Sequence, residues 1–379
     1  MSPLRTEHHP LASDTPGTAR QVTSHHFGAA GARPRVYIQA GLHAGEVPGM
    51  LVTRHLLPLL AALEAQGRLM GEVVVVPVAN PVGLAQGLLH DSIGRFEMHA
   101  AENFNRHYPD LVKLLGDTLD GLLGDSAQGN TALIRRAMAD ALAASPAATE
   151  LASLRKTLLG LALGADMVLD LHCDLEAVCH LYTTDASRDW GLQLSAHLGA
   201  RVVLLASDSG GHAFDESCST PWDQLRARHG AQHPIAAGCH AATVELRGLA
   251  DVDDIQAAAD ARHLADWLVA VGAVAAGEGG APAPAFAPGD GVPLAGTDDI
   301  KAPFGGIVSF RRAVGERVKA GEVIADLIDP LTGERAEIAT RNDGLFYARE
   351  HRRFLRRGTS IGQVSGATPI REGHLLAAR

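Results

Sequence analysis

The feature that most constrains this chain is the run Val73-Val74-Val75-Val76-Pro77-Val78. Such a run has no polar face to give to water. As a strand it must be covered on both sides, and Asn80-Pro81 ends it. Similar short apolar segments recur at Val36–Gly41, Met167–Leu171, Val202–Ala206 and Ala242–Leu246. Between them lie stretches with helical character. One starts at about Pro48, where proline's missing N–H is harmless, and runs to Leu63. Others cover 110–163 (with breaks near 121–130 and at Ser145-Pro146), 188–199 and 253–271. Strands alternating with helices predict an α/β fold, a sheet with helices on both faces. In such sheets ligands sit beyond the carboxyl ends of strands.

The 379 residues suffice for a large and a small domain, and 46% are apolar. Residues 1–30 are polar and read as a partly mobile lead-in. Gly277–Pro288 is rich in Gly, Ala and Pro, the composition of a linker. The expected division is therefore a domain at 1–276, a linker at 277–289 and a second domain at 290–379. Within the last, Gly305-Gly306-Ile307-Val308 followed by Val318–Ile324 is echoed by Asp343-Gly344-Leu345-Phe346 followed by Leu355–Ile361. Two such units predict a small all-β barrel or sandwich resembling biotinyl and lipoyl carrier domains. The turn between the halves, Asp329–Glu337, has no lysine for attachment, so an unmodified barrel is expected.

A net charge of −10 and 4% aromatic residues argue against a nucleic-acid partner. The basic run Arg349–Arg357 reads as a solvated face. Four cysteines without a CxxC pair fit a reducing compartment. No apolar run of roughly 18 or more residues exists to span a membrane, and the start lacks a signal-peptide core. A cytoplasmic protein is expected; whether it forms a homo-oligomer is open.

Several residues carry chemistry. His43-Ala44-Gly45-Glu46 has the spacing His-x-x-Glu after a strand and before a helix, so both side chains can face one point. Local sequence leaves His43 open between metal ligand and helix-capping residue. His99-Ala100-Ala101-Glu102 is a second match, in an irregular polar stretch. His172 stands at the exit of Leu169-Asp170-Leu171; alone it reads equally as a hydrogen-bonded core histidine. With His43 and Glu46 it makes three ligands and leaves a position for water, the composition of a catalytic zinc site. Glu245 lies in the apolar strand Thr243-Val244-Glu245-Leu246, either facing solvent at an edge or serving as a base beside a metal-activated water. Asn105-Arg106 offers an amide beside a guanidinium that can fork onto a carboxylate. Arg95 is a second cation, or a solvated one. Asp174 and Glu176 are candidates for an amino-group contact.

Together these motifs resemble the succinylglutamate desuccinylase/aspartoacylase family, a branch of the zinc carboxypeptidases, over roughly residues 35–272. The C-terminal segment is similar to that family's second domain. The resemblance implies a mixed sheet of zinc-carboxypeptidase type and one Zn²⁺ per chain on His43, Glu46 and His172. It further implies Glu245 as general base, and Asn105 and Arg106, with Arg95, as grips on a substrate carboxylate. The implied activity is hydrolysis of an N-acyl amino acid or related small amide, releasing a carboxylate and a free amine. A metallocarboxypeptidase acting on short peptides is the alternative, and a non-catalytic carrier or binding protein the reading of another class. The family's first motif often reads His-Gly-Asp-Glu, where Ala44 and Gly45 stand here. Asn103 replaces an Asp often found before the Asn-Arg pair.

Overall fold

The computed structural model describes residues 5–376. A nine-stranded mixed sheet forms its centre. In spatial order the strands are Arg5–Pro10, Gln21–Phe27, Glu72–Val76, Arg35–Ala40, Met167–Asp174, His240–Gly248, His180–Thr183, Val202–Leu205 and Asp290–Pro293. The middle four run parallel, as continuous apolar strands buried on both faces should. All five residues of Glu72–Val76 are buried.

Alternation divides the side chains between two cores. Val36, Ile38, Val73, Val75, Leu169 and Leu171 face the helices Pro48–Ala65, Arg188–Leu198 and Asp254–Ala270. Tyr37, Val74, Val76 and Val168 face the other side, against Ala127–Ala144, Glu150–Ala162 and Phe214–His229. Truncating one of these buried leucines to alanine costs about 2–5 kcal/mol, because close packing leaves a cavity. Ser126 and Thr149 cap their helices by accepting from Gly129 N and Ala152 N.

Two expectations are corrected. The N-terminal lead-in is ordered from Arg5: Arg5–Pro10 and Gln21–Phe27 pair antiparallel at the sheet's edge. Strand Arg5–Pro10 is polar because little covers it. The C-terminal region forms no closed barrel. It has two open sheets, one of Arg335–Ala339, Val323–Ile328, Gly306–Phe310 and Phe354–Leu355. The other runs Glu176–Ala177, Gly344–Arg349, Ser360–Val364 and Asp298–Lys301, with Arg317–Val318 paired to Gly344–Arg349. Val308, Ile324, Leu327, Phe346, Ile361 and Val364 form one core between them.

The two regions trade strands. Asp290–Pro293, just after the Gly/Pro-rich stretch, completes the edge of the large sheet beside Val202–Leu205. Glu176–Ala177, far upstream, pairs with Gly344–Arg349. Glu176 also accepts from Arg349 and Arg353, at 2.6 Å each, and both guanidinium groups lie over the Phe310 ring. Part of the basic run is thus paired across the junction rather than wholly solvated, and Glu176 is used up there. No helix among the described residues is long and apolar enough to cross a membrane.

Candidate metal centre

The turn after Arg35–Ala40 and the end of Met167–Asp174 bring His43, Glu46 and His172 together. One ligand atom from each lies within 4.8 Å of the others. All three are buried, at 5%, 6% and 2% exposure, so the cluster is not a chance meeting of surface groups. Glu46 offers one oxygen to each imidazole: Oε1 is 3.0 Å from His43 Nδ1 and Oε2 is 2.7 Å from His172 Nδ1. The outer ring nitrogens are held too. His172 Nε2 is 2.9 Å from Asp170 Oδ2, and His43 Nε2 is 2.9 Å from Asn103 Oδ1. An outer partner that accepts the Nε2 proton leaves each Nδ1 lone pair directed inward, as metal-ligating histidines require.

Local packing sets this turn. A Cβ on Gly94 would stand 2.6 Å from Gly45 N and 2.8 Å from Ala44 Cβ. Gly94 O accepts from Ala44 N at 2.9 Å, so the loop carrying Arg95 lies directly on the His43 turn. Gly49 likewise lets the start of Pro48–Ala65 meet Leu171, where a Cβ would come within 2.9 Å of the Leu171 Cβ. Arg155, on Glu150–Ala162, donates to Asn103 O at 3.0 Å and to Glu102 at 2.8 Å, bracing the Asn103 segment from behind.

The electrostatics suit a cation. Burial alone would depress His172, but Asp170 and Glu46 outweigh it and hold its pKa well above the usual value. Burial would raise Glu46, yet the two imidazoles and Arg95 keep it well below the carboxylate range. Burial, then Arg95, pushes His43 down to about 4. Arg95 Nη1 stands 2.8 Å from His43 Nδ1 and 3.5 Å from Glu46 Oε1, so a positive group already faces these donors. Two imidazoles and a carboxylate, buried and braced, fit a zinc-class ion.

Glu245 lies one strand over, in register with His172. The strand bulges between Glu245 and Gly248, where Arg247 takes φ +64° and pairs with Asp260. Such irregularities re-aim side chains. Glu245 faces the cleft with Oε2 buried and unpartnered. Burial and then Glu46 raise its pKa well above normal. Asn105 Oδ1 accepts from Phe214 N at 2.8 Å, fixing the start of Phe214–His229. Arg106 reaches the cleft, its Nη1 bonded to Asn105 O at 2.6 Å. Burial lowers its pKa while Asp215 and Glu216 support its charge. His107 and His212, both left-handed, clasp the two loops through His107 N–Gly211 O and Tyr108 N–His212 O bonds.

His43, His172, Glu245, Asn105, Arg106 and Arg95 all line one cleft, which encloses about 1100 Å³ including its open mouth. Glu46 lies just behind, bonded to both histidines. His99 is exposed and outside it. Asp174 lines the cleft; Glu176 does not. Reading the sequence alone missed Asp170, Asp215 and the far wall of Tyr347, Gln363, Arg371 and Leu375. A carboxylate two residues before His172 on the same strand face was a usable signal for Asp170. Asp215, whose pKa burial and Glu216 raise to about 7, had none.

Residues 32–127 match the family model described as the Succinylglutamate desuccinylase/Aspartoacylase catalytic domain. No curated protein matches the chain. Among solved structures, a succinylglutamate desuccinylase/aspartoacylase family protein from Shewanella amazonensis SB2B is 25% identical, with TM-score 0.81, covering 96% of this chain and 98% of its own. One from Shewanella frigidimarina NCIMB 400 is 24% identical, with TM-score 0.82 and coverage of 97% and 98%. The ectoine utilization protein EutE (DoeB) from Ruegeria pomeroyi shares the fold at 15% identity, with TM-score 0.66 and coverage of 95% of each chain. The motifs fall in order along the chain, residues 32–127 are similar to the succinylglutamate desuccinylase/aspartoacylase catalytic domain, and the whole chain is similar in fold to these family proteins.

Proposed function

We propose that the chain is a zinc-dependent amidohydrolase that cleaves an N-acyl amino acid or related small amide into a carboxylate and a free amine. The observation that carries this reading is the buried His43–Glu46–His172 group beside a cleft that also holds Glu245, whose Oε2 has no partner. Zinc held there would polarise the amide carbonyl and lower the pKa of a coordinated water to about 7. Asp170 and Asn103 keep the imidazoles oriented. Glu245 takes a proton from the attacking water and returns it to the leaving nitrogen. Its raised pKa suits the return, and a nearby dication would favour the ionised form that accepts. Arg106, with Asn105 and Arg95, grips the substrate carboxylate by charge-assisted hydrogen bonds. The C-terminal wall limits how long a substrate can be, which favours a small amide over a peptide.

The test is metal analysis of the purified protein, followed by a screen of N-acetyl, N-succinyl and N-formyl amino acids beside dipeptides. The expected result is about one ion per His43 centre and turnover of an acylated amino acid. Turnover of dipeptides alone would make the protein a peptidase. A folded protein with no affinity for zinc at His43 and His172 would remove the mechanism.

A further inference from the structure

The edge hairpin carries four histidines, His8, His9, His25 and His26, on two short strands. Alternation sends two to each face. One face carries Arg5, Glu7 and His9 on one strand and His26, Ser24 and Val22 on the other, in the register Arg5↔His26, Glu7↔Ser24 and His9↔Val22. The Ser24 hydroxyl lies 2.8 Å from His9 Nε2 and 2.8 Å from His26 Nε2. Glu7 Oε2 is 3.6 Å from His26 Nε2. One nitrogen from each histidine and one Glu7 oxygen fall within 4.8 Å of one another. Two donors at about 2.1 Å from a tetrahedral ion stand roughly 3.4 Å apart, so small side-chain movements complete the geometry.

We propose that Glu7, His9 and His26 form a second divalent-metal site, of zinc class and separate from the His43 centre, which fastens the edge strand Arg5–Pro10 to the sheet. Two imidazoles and a carboxylate select zinc or a neighbouring transition metal over magnesium or calcium. His26 is 6% exposed, and its Nδ1 lies 3.6 Å from Glu72 Oε1, which leaves Nε2 as the nitrogen turned toward Glu7 and Ser24. Nearby charges are already assigned. Glu72 accepts from Arg5 at 2.8 Å and lies 3.1 Å from Arg35 Nε. Arg5 is thereby directed to Glu72 and stands 3.7 Å from Glu7 Oε1, leaving Glu7 Oε2 toward His26. Three protein ligands leave a fourth position to water, so binding should be weaker than at a closed structural zinc site.

The site would add a bridge to a hairpin otherwise held by backbone ladder bonds and by side-chain hydrogen bonds such as His9–Ser24 and Arg5–Glu72. Arg5–Pro10 pairs with a single neighbour, Gln21–Phe27. Exposed edge strands fray, and a metal bridging both strands would fix their register.

The test uses the untagged full-length chain, stripped with chelator and dialysed to equilibrium against free zinc. Wild type should hold about two ions per chain, and His9→Gln about one, with amide hydrolysis retained. His43→Ala should also hold about one, at the hairpin. In the His43→Ala background, zinc should slow amide exchange of Arg5–Pro10, and His9→Gln should abolish that protection. One ion in wild type, or equal binding by wild type and His9→Gln, would overturn the proposal. Unchanged exchange on zinc addition would overturn the fastening role.

Discussion

Glu245 faces the cleft from the mainly apolar run Ala241–Leu246, with one oxygen unpartnered. Glu245→Gln keeps the shape but cannot accept a proton. Turnover should fall by about 10²–10⁴ with metal content unchanged; near-wild-type turnover would make Glu245 structural. Asp170→Asn tests the outer support of His172. Competition against a chromophoric chelator should show metal affinity about 10–100-fold weaker, and an unchanged value would sever Asp170 from the site. Arg106→Ala should cost about 1.5–3 kcal/mol in kcat/KM for substrates bearing a carboxylate and little for their amides. Equal losses on both would mean that Arg106 holds the loop rather than the substrate. These residues differ in how far the sequence announces them. His43 and Glu46 are three apart and His172 ends an apolar strand, so type and spacing suffice. Asn103 and Arg371 join the cleft through distant partners, Asn103 through His43 and Arg371 through Leu294. No local pattern encodes those distances.

Strands with two buried faces were legible because burial on both sides forces a continuous apolar run, as in Glu72–Val76. Arg5–Pro10 was not, since an edge strand needs no such pattern and its side chains are mostly exposed. Helix Phe214–His229 escaped for another reason. Pro221 lies inside it, and charged or polar residues fill much of it, although Phe214, Trp222 and Leu225 pack into the core. The last described segment belongs to the cleft as much as any helix does. Arg371 donates to Leu294 O and Leu375 O at 3.1 Å each, and Leu375 N bonds to Ser209 O at 3.0 Å. Deleting residues 369–379 should leave the sheets and metal binding intact while removing that wall. Bulkier acyl groups should then be accepted and KM for small ones should rise. An unchanged substrate range, measured across an acyl-length series, would place the limit elsewhere.

For the molecule as a whole, buried histidines tie stability to pH. In the metal-free protein burial lowers His26, His180 and His240 from 6.5, and takes His43 to about 4. The unfolded chain takes up these protons near 6.5 and the folded one resists. Their contribution is therefore complete above about pH 6.5 and is lost as pH falls through their lowered folded values, about 4 for His43. His172, raised instead, contributes fully below 6.5 and loses its share only as pH rises through its folded value. Asp215, raised from 3.8 to about 7, opposes the trend by favouring the folded state as pH falls. Glu245, also raised, acts the same way. The histidines outnumber these two carboxyls. The urea midpoint of chelated protein should thus fall between about pH 7 and about pH 5, and a rising midpoint would mean that the carboxyls prevail.

The traded strands bear on how the chain can be made. While it grows from its amino end, Glu176–Ala177 must wait for Ala348–Arg349, and Val202–Leu205 for Asp290–Pro293. Two strand edges stay open through that interval, each a template for stray pairing. Closing such distant contacts is slow relative to local ones. A ribosome-bound chain halted near residue 280 would therefore be a sticky, half-walled precursor, and holding it apart from its neighbours is a task for chaperones rather than for the sequence.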